Sequence, residues 1–458
     1  MRSFPQLARG GLAVAFLLSA ADIARGQETS FDSRMLCRQA IADWTARERV
    51  DPAPFHIRPV VAATLAPDAE KPTRAELALG LARTSGVLLA GETEAVDGGF
   101  AYPGPSEKPA RTEPFASLLV RRPFGPVALL ADVTFGKTSH TRELALAGRL
   151  GGVLLTMGRL GLWPGNGCSS GLVLSGRGRV DGLGIDTPWI GLPILGRLSL
   201  SASLGTIPEA ATGNRRPFFS VLRAVWPASE HLVFTATRAM LFGGRATSVP
   251  VTFRTVGLML LGVTDVEGKD SDFENQVASV GASLRTRIAG APVRFHAEYG
   301  VDDYGLAFLR VPAAVLGVEV VPSASDRTRT FGAEVVWIAP SARDYPEWYR
   351  HGALAWGWTD EGVPLGHDLA GEGWGLRLGT FSGSTLDGYA ADLFVTRRGG
   401  ENLLARDGPG WGVEASLDGR RRVGTLSDGT VLFELRARGG GLEHHRFFAV
   451  SASGIYRF

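Results

Sequence analysis

The residues able to do chemistry are few and scattered. Two acidic pairs, Asp302-Asp303 and Asp360-Glu361, have the composition of a hydrolytic carboxylate pair. Glycoside hydrolysis needs two carboxylates held across a sugar at about 5–10 Å, a span that neighbours on one chain do not supply. Asp270-Ser271-Asp272 offers oxygens to Ca²⁺, but the run is too short for a full ligand loop. His296 and Ser279 could serve a hydrolase only if an Asp or Asn converged on them. A hydrated, charge-lined interior accounts for these groups more simply, so no catalytic residue is assigned and the chain is read as a non-enzyme. His444-His445, the adjacent pair among 8 His, would point to opposite faces of a strand and chelate poorly. Cys37 and Cys168 are far apart, and two buried thiols or one adventitious pair fit equally. No metal and no cofactor are predicted.

Sugar binding has more support. Sugars stack their C–H faces on aromatic rings, while acids, amides and Arg bond their hydroxyls. Trp348, Tyr349, Trp356 and Trp358 cluster near a predicted strand end. The first reading of that cluster is the interfacial aromatic girdle of a membrane barrel, and the second is a sugar surface. His367, in a Gly-bounded turn, is read first as a turn residue and second as a sugar ligand.

The elements that must position these groups are strands. The chain has 458 residues with 60 Gly, suited to strands and tight turns. Its 45% hydrophobic and 21% charged residues exclude disorder. The net charge of +2 gives nucleic-acid binding no electrostatic support.

The first residues read as an export signal spanning 1–26. Arg2 and Arg9 precede the apolar run Gly10–Ala21, and Ala24-Arg25-Gly26 offers small residues for cleavage before Gln27. That run is too short for a membrane anchor, which needs about 20 residues. Residues 27–78 read as a periplasmic helical segment. Within it, Phe31–Arg49 places Leu36, Cys37, Ala40, Ile41 and Trp44 on one helical face, and Pro52 and Pro54 end it. A second short helix is expected at Arg58–Leu65, and Thr73-Arg74-Ala75-Glu76 has the form of a helix cap.

From residue 79 to 458 the rhythm is period two, broken by Gly, Pro, Asp and Asn. Val293, Phe295, Ala297, Tyr299 and Val301 alternate with Arg294, His296, Glu298, Gly300 and Asp302. Segments 278–288, 411–418 and 431–438 alternate likewise. Strands of about 9–12 residues suit a tilted membrane wall better than a sandwich. No later run is apolar enough for a helical span, so an exported chain entering a membrane must close a barrel. The alternative is a soluble secreted protein. About 18 strands are expected, in an all-β antiparallel transmembrane barrel.

The last strand decides between them. Phe448, Val450, Ala452, Gly454, Tyr456 and Phe458 share one face, and the chain stops on Phe458. Tyr456 and Phe458 resemble the sorting signal of bacterial outer-membrane barrels, which the assembly machinery reads by strand pairing. The expected location is therefore the bacterial outer membrane, with its lipid and that machinery as partners.

A family resemblance rests on two blocks. The first begins at Leu162-Trp163-Pro164-Gly165-Asn166-Gly167 and Ser169–Arg177, then Thr187–Gly191 and Leu198–Ile207. It continues through Arg215–Trp226 and His231–Gly244. The second runs Tyr349–Trp358, Gly362–His367 and Gly371-Glu372-Gly373. In this order they resemble the capsule-assembly proteins of the Wzi family, over nearly all of the mature chain. The resemblance implies a barrel partly plugged by helices and loops that retains exported polysaccharide. It makes Trp163, Trp356, Trp358 and His367 the candidate polysaccharide-binding residues. The competing readings are a porin-like passive channel and an outer-membrane hydrolase.

Overall fold

Long strands with two unlike faces have one closed solution, and the chain adopts it. The computed structural model describes residues 41–42, 44–45, 74–88, 106–124, 126–135, 140–161, 171–174, 179–207, 217–243, 250–260, 274–302, 312–322, 329–340, 348–349, 358–360, 363–384, 386–400, 402–403, 409–426, 429–442 and 445–457. The strands, in chain order, are β1 (Arg74–Leu88), β2 (Ser106–Phe124), β3 (Val127–Phe135), β4 (His140–Leu150), β5 (Val153–Gly161), β6 (Arg179–Asp186) and β7 (Ile190–Leu192). Next come β8 (Gly196–Thr206), β9 (Phe218–Pro227), β10 (Leu232–Phe242), β11 (Glu274–Ile288), β12 (Ala291–Asp302), β13 (Pro312–Val320) and β14 (Arg329–Ile338). The last are β15 (Thr359–Asp360), β16 (Val363–Pro364), β17 (Gly373–Gly383), β18 (Gly388–Arg398), β19 (Gly410–Leu426), β20 (Gly429–Leu442) and β21 (His445–Arg457).

Each wall strand pairs antiparallel with the next, and β21 returns to β1 in a ladder from Glu76–Arg457 to Gly86–Phe447. The sheet holds 19 strands; setting aside the three-residue β7, which pairs only with the start of β8, leaves an 18-stranded wall. Thr73-Arg74-Ala75-Glu76 is therefore not a helix cap. Arg74 opens β1, and strand pairing on both sides overrides the local capping pattern. The wall thus begins ahead of residue 79.

The burial pattern is inside out. Leu316 is 62% exposed on the outer face, whereas Arg294 on the inner face is 0% exposed. Ser279, Arg285, His296, Glu298, Asp418, Arg420 and Glu434 are buried with it, while Leu144, Leu183, Val280, Phe331 and Phe433 face outward. Water would penalise that arrangement and lipid favours it.

The two rims differ. One carries tight turns such as Gly151-Gly152 and Ala289-Gly290, all at positive φ, as two-residue hairpins require. The other carries the connections 162–178, 243–273 and 339–372. Short turns face the periplasm in outer-membrane barrels and long loops face outward. An aromatic girdle exists at the long-loop rim, built from Trp337, Trp374 and Trp411, with the last two in edge contact at 5.1 Å.

The described residues Ile41, Ala42, Trp44 and Thr45 are helical, inside the expected Phe31–Arg49 helix. They enter the lumen from the short-turn rim. Trp44 packs on Val225 and Val233, and Ala42 on Val321, Phe381 and Ala390. Arg285 donates to the Trp44 carbonyl at 2.7 Å, and its guanidinium lies 5.2 Å from the Trp44 ring. The expected helix at Arg58–Leu65 lies outside the described residues.

Candidate functional site

Among the described residues, segments of three connections fold into the extracellular half of the lumen. Leu172, Val173 and Leu174 come from the β5–β6 connection. Trp348, Tyr349, Trp358, Leu365, Leu369 and Ala370 come from the β14–β17 connection, and Leu403 from β18–β19. All are buried. They fold inward because the wall at this height is apolar on its inner face, at Phe219, Val221, Leu241, Val277 and Val315. Apolar loop residues meeting an apolar wall form a core that water would otherwise have to enter. Trp358 packs on Phe219 at 5.3 Å, and Trp348 meets Tyr349 edge-on at 5.4 Å.

Tyr349 joins the loops. Its backbone is in the left-handed region, φ 66°, which costs a non-glycine residue energy unless its surroundings hold it there. They do. Its N–H donates to Asp302 of β12 at 2.5 Å, and its carbonyl accepts from the Trp358 N–H at 2.6 Å. Its hydroxyl donates to the Leu172 carbonyl and accepts from the His367 N–H at 3.0 Å. The Trp358 indole N–H bonds the Val173 carbonyl at 3.1 Å. Asn402 ties the third loop in, donating to the carbonyls of Leu369 at 2.7 Å and Glu372 at 3.0 Å.

Beneath this core lies a charged layer carried by the strands. Glu298 accepts from the Ser279 hydroxyl at 2.6 Å and from the Leu172 N–H at 3.2 Å, so the wall holds the first loop directly. Glu334 of β14 lies 3.3 Å from the Nε2 atoms of both His296, on the wall, and His367, on the plug. The tautomer of His367 follows from its other nitrogen. Nδ1 accepts from the Leu369 N–H at 3.0 Å, so in the neutral ring the proton sits on Nε2 and points at Glu334. Asp368 of the plug pairs with Arg377 of β17, whose guanidinium lies 4.6 Å from the Phe394 ring.

Burial pushes the Tyr349 phenol well above its usual range, with Asp302, Glu298 and Asp368 acting in the same direction. A proton held more tightly in the folded state contributes stability that is complete below the ordinary phenol value of 10.0 and is lost as pH rises towards the folded value. The barrel should therefore lose heat resistance between pH ~9 and ~11, and Tyr349→Phe should lose less of it over that window. At neutral pH the same variant should be weaker than wild type by about 2–4 kcal/mol, because the Leu172 carbonyl and His367 N–H lose their partner. The electrophoretic shift of folded against heated barrel reads both. An unchanged alkaline profile in Tyr349→Phe would sink the assignment.

The structure sorts the sequence expectations. Trp358 and His367 come together in the plug, both fully buried. Trp163 and Trp356 lie outside the described residues. Trp348, Tyr349 and Trp358 do not form a girdle: their loop turns into the lumen, and other tryptophans supply the girdle. Tyr456 bonds the Leu426 carbonyl at 3.0 Å through its hydroxyl; Phe458 lies outside the described residues. Ser279 and His296 serve different carboxylates, Glu298 and Glu334, and do not meet as a catalytic pair. Asp303, Glu361, Asp270-Ser271-Asp272, His444, Cys37 and Cys168 lie outside the described residues. Sequence reasoning missed Glu334, Asp368 and Arg377. For Glu334 and Arg377 the signal was a charge at an inward strand position, which many other residues share; Asp368 lies in the plug loop, where no periodicity marks it.

The family model for capsule assembly protein Wzi matches residues 131–382. Among solved structures, the chain is similar to Wzi of Escherichia coli, described as an outer membrane protein involved in group 1 capsule assembly and a carbohydrate-binding β-barrel. Identity is 12%, with 92% of this chain and 97% of that one covered, and the TM-score is 0.63. OpdQ of Pseudomonas aeruginosa follows at 10% identity, 84% and 97% coverage and TM-score 0.49. OccK10 of the same organism has 12% identity, 85% and 99% coverage and TM-score 0.47. No curated protein matches the sequence.

Proposed function

The chain belongs to the capsule assembly protein Wzi family, and from that premise we propose that it holds or organises exported polysaccharide at the cell surface without cleaving it. The observation that carries this reading is the filled lumen. Leu172, Tyr349, Trp358 and His367 bind one another and the wall inside the barrel, where a channel would need a path. In the proposed site Trp163 and Trp356 stack on sugar rings, whereas Trp358 and His367, having no exposed surface, hold the plug together. The proposal also includes removal of residues 1–26 on export and reading of the Tyr456–Phe458 end by the barrel-assembly machinery.

Two measurements on the purified barrel test it. Immobilised acidic polysaccharides should retain the wild-type protein and retain Trp163→Ala and Trp356→Ala less well. In planar bilayers the protein should conduct almost no ions. Failure to bind any acidic polysaccharide would remove the binding role, and a large steady conductance would replace it with the channel.

A further inference from the structure

We propose that the outer wall between β6 and β12 is a binding site for one acyl chain of a glycerophospholipid from the periplasmic leaflet. The wall is concave there, with a cavity of about 650 Å³. Sites for small ligands run to roughly 300–1,000 Å³. The shape follows from register. Ala224 of β9 and Ala236 of β10 are paired neighbours on the outer face, flanked by Leu200 on one side and Val280 and Tyr299 on the other. Short side chains between long ones make a trough whose exposed surface is mainly apolar, with Arg238 among the residues that line it.

Position restricts what can fill it. The stacked pair Trp226–Phe234, at 5.4 Å, marks the periplasmic side of these strands, and the stacked pair Phe218–Phe242, at 5.6 Å, the extracellular side. From Phe234 to Phe242 is about 26 Å along the strand, which a tilt of about 40° reduces to roughly 20 Å of height, inside the ~25 Å apolar band of such barrels. The trough lies between the two pairs and is continuous with the lipid-facing wall, so hydrocarbon is what reaches it.

A ledge selects the leaflet. The helix Phe253–Leu260 lies against the outside of the wall, with Val256 and Met259 packed on Met240 and Phe242. Its Met259 carbonyl accepts from Arg238 at 2.6 Å, and Arg238 also bonds Gln276 at 2.9 Å, so the guanidinium at the extracellular end of the trough is hydrogen-bonded to the ledge and the wall. The ledge covers the wall on the extracellular side of the trough. A chain seated below it approaches from the periplasmic leaflet, whose lipids are glycerophospholipids.

Native mass spectrometry tests this on the full barrel released from detergent after incubation with phosphatidylethanolamine or with lipid A. Wild type should keep one phosphatidylethanolamine. Ala236→Trp, which fills the trough, should keep it about tenfold less often, and Ala415→Trp, on the outer face of β19, should match wild type. The folded electrophoretic shift confirms that both variants assemble. Three results would overturn the site: no retained phospholipid in wild type, equal retention in Ala236→Trp, or preferential retention of lipid A. A wild-type dimer abolished by Ala236→Trp would assign the trough to a second copy instead and likewise overturn it.

Discussion

Glu334→Ala is expected to loosen the plug and turn a closed barrel into a leaky one. The carboxylate is the shared acceptor between His296 of the wall and His367 of the loop that fills the lumen. Without it, the His367 Nε2–H is buried with no acceptor, and Nδ1 cannot compensate because Leu369 already occupies it. Hydrogen bonds to charged groups contribute about 1.5–3 kcal/mol each, and breaking a buried ionic arrangement from one side costs about 3–5 kcal/mol. A total near 3–5 kcal/mol is the expectation. The wall keeps its eighteen ladders, so the loss should fall on the loop. Single-channel recordings should show intermittent conductance in Glu334→Ala, with polysaccharide retention falling in parallel. Glu334→Gln keeps one acceptor oxygen and should lie between. A Glu334→Ala barrel as tight and as heat-resistant as wild type would show that the core around Tyr349 holds the plug unaided.

The wall was legible in the sequence because period two is a one-dimensional signal. In Val293–Asp302 the reading of two faces is realised along the middle of the strand, with Arg294, His296 and Glu298 buried inside and Phe295 and Tyr299 exposed outside, while Val293 and Val301 near the ends are buried. Strand number followed from counting such runs. The plug was not legible, for a physical reason. Whether Trp348, Tyr349 and Trp358 sit at a membrane interface or in a lumen depends on where their loop goes, and that depends on an apolar inner surface assembled from six or more distant strands. The ledge helix was missed for a related reason: eight residues, Phe253–Leu260, are too few to stand out until the wall beneath them exists. The Thr73–Glu76 cap failed in the opposite way, a local pattern outweighed by long-range pairing with β2 and β21.

The strongest test of the inside-out reading is one charge on the outer face. Leu316 is central in β13, opposite Ala297 of β12 and Val335 of β14, and is 62% exposed. In a water-soluble protein Leu316→Arg at so exposed a site would change stability by only about ±0.5 kcal/mol. On a lipid-facing wall near the bilayer midplane it should cost about 2–4 kcal/mol, falling towards zero at the interfaces. Val423, also exposed but at the short-turn end of β19, supplies that internal comparison. Val423→Arg should assemble like wild type, while Leu316→Arg should give a smaller folded fraction and a lower heat transition in bilayers. The difference should also narrow in short-chain lipids, where a thinner hydrocarbon layer lets the guanidinium reach the headgroups. Equal behaviour of the two variants in every lipid would mean that the outer face does not meet hydrocarbon, and the closed wall would then need another environment to explain its exposed leucines.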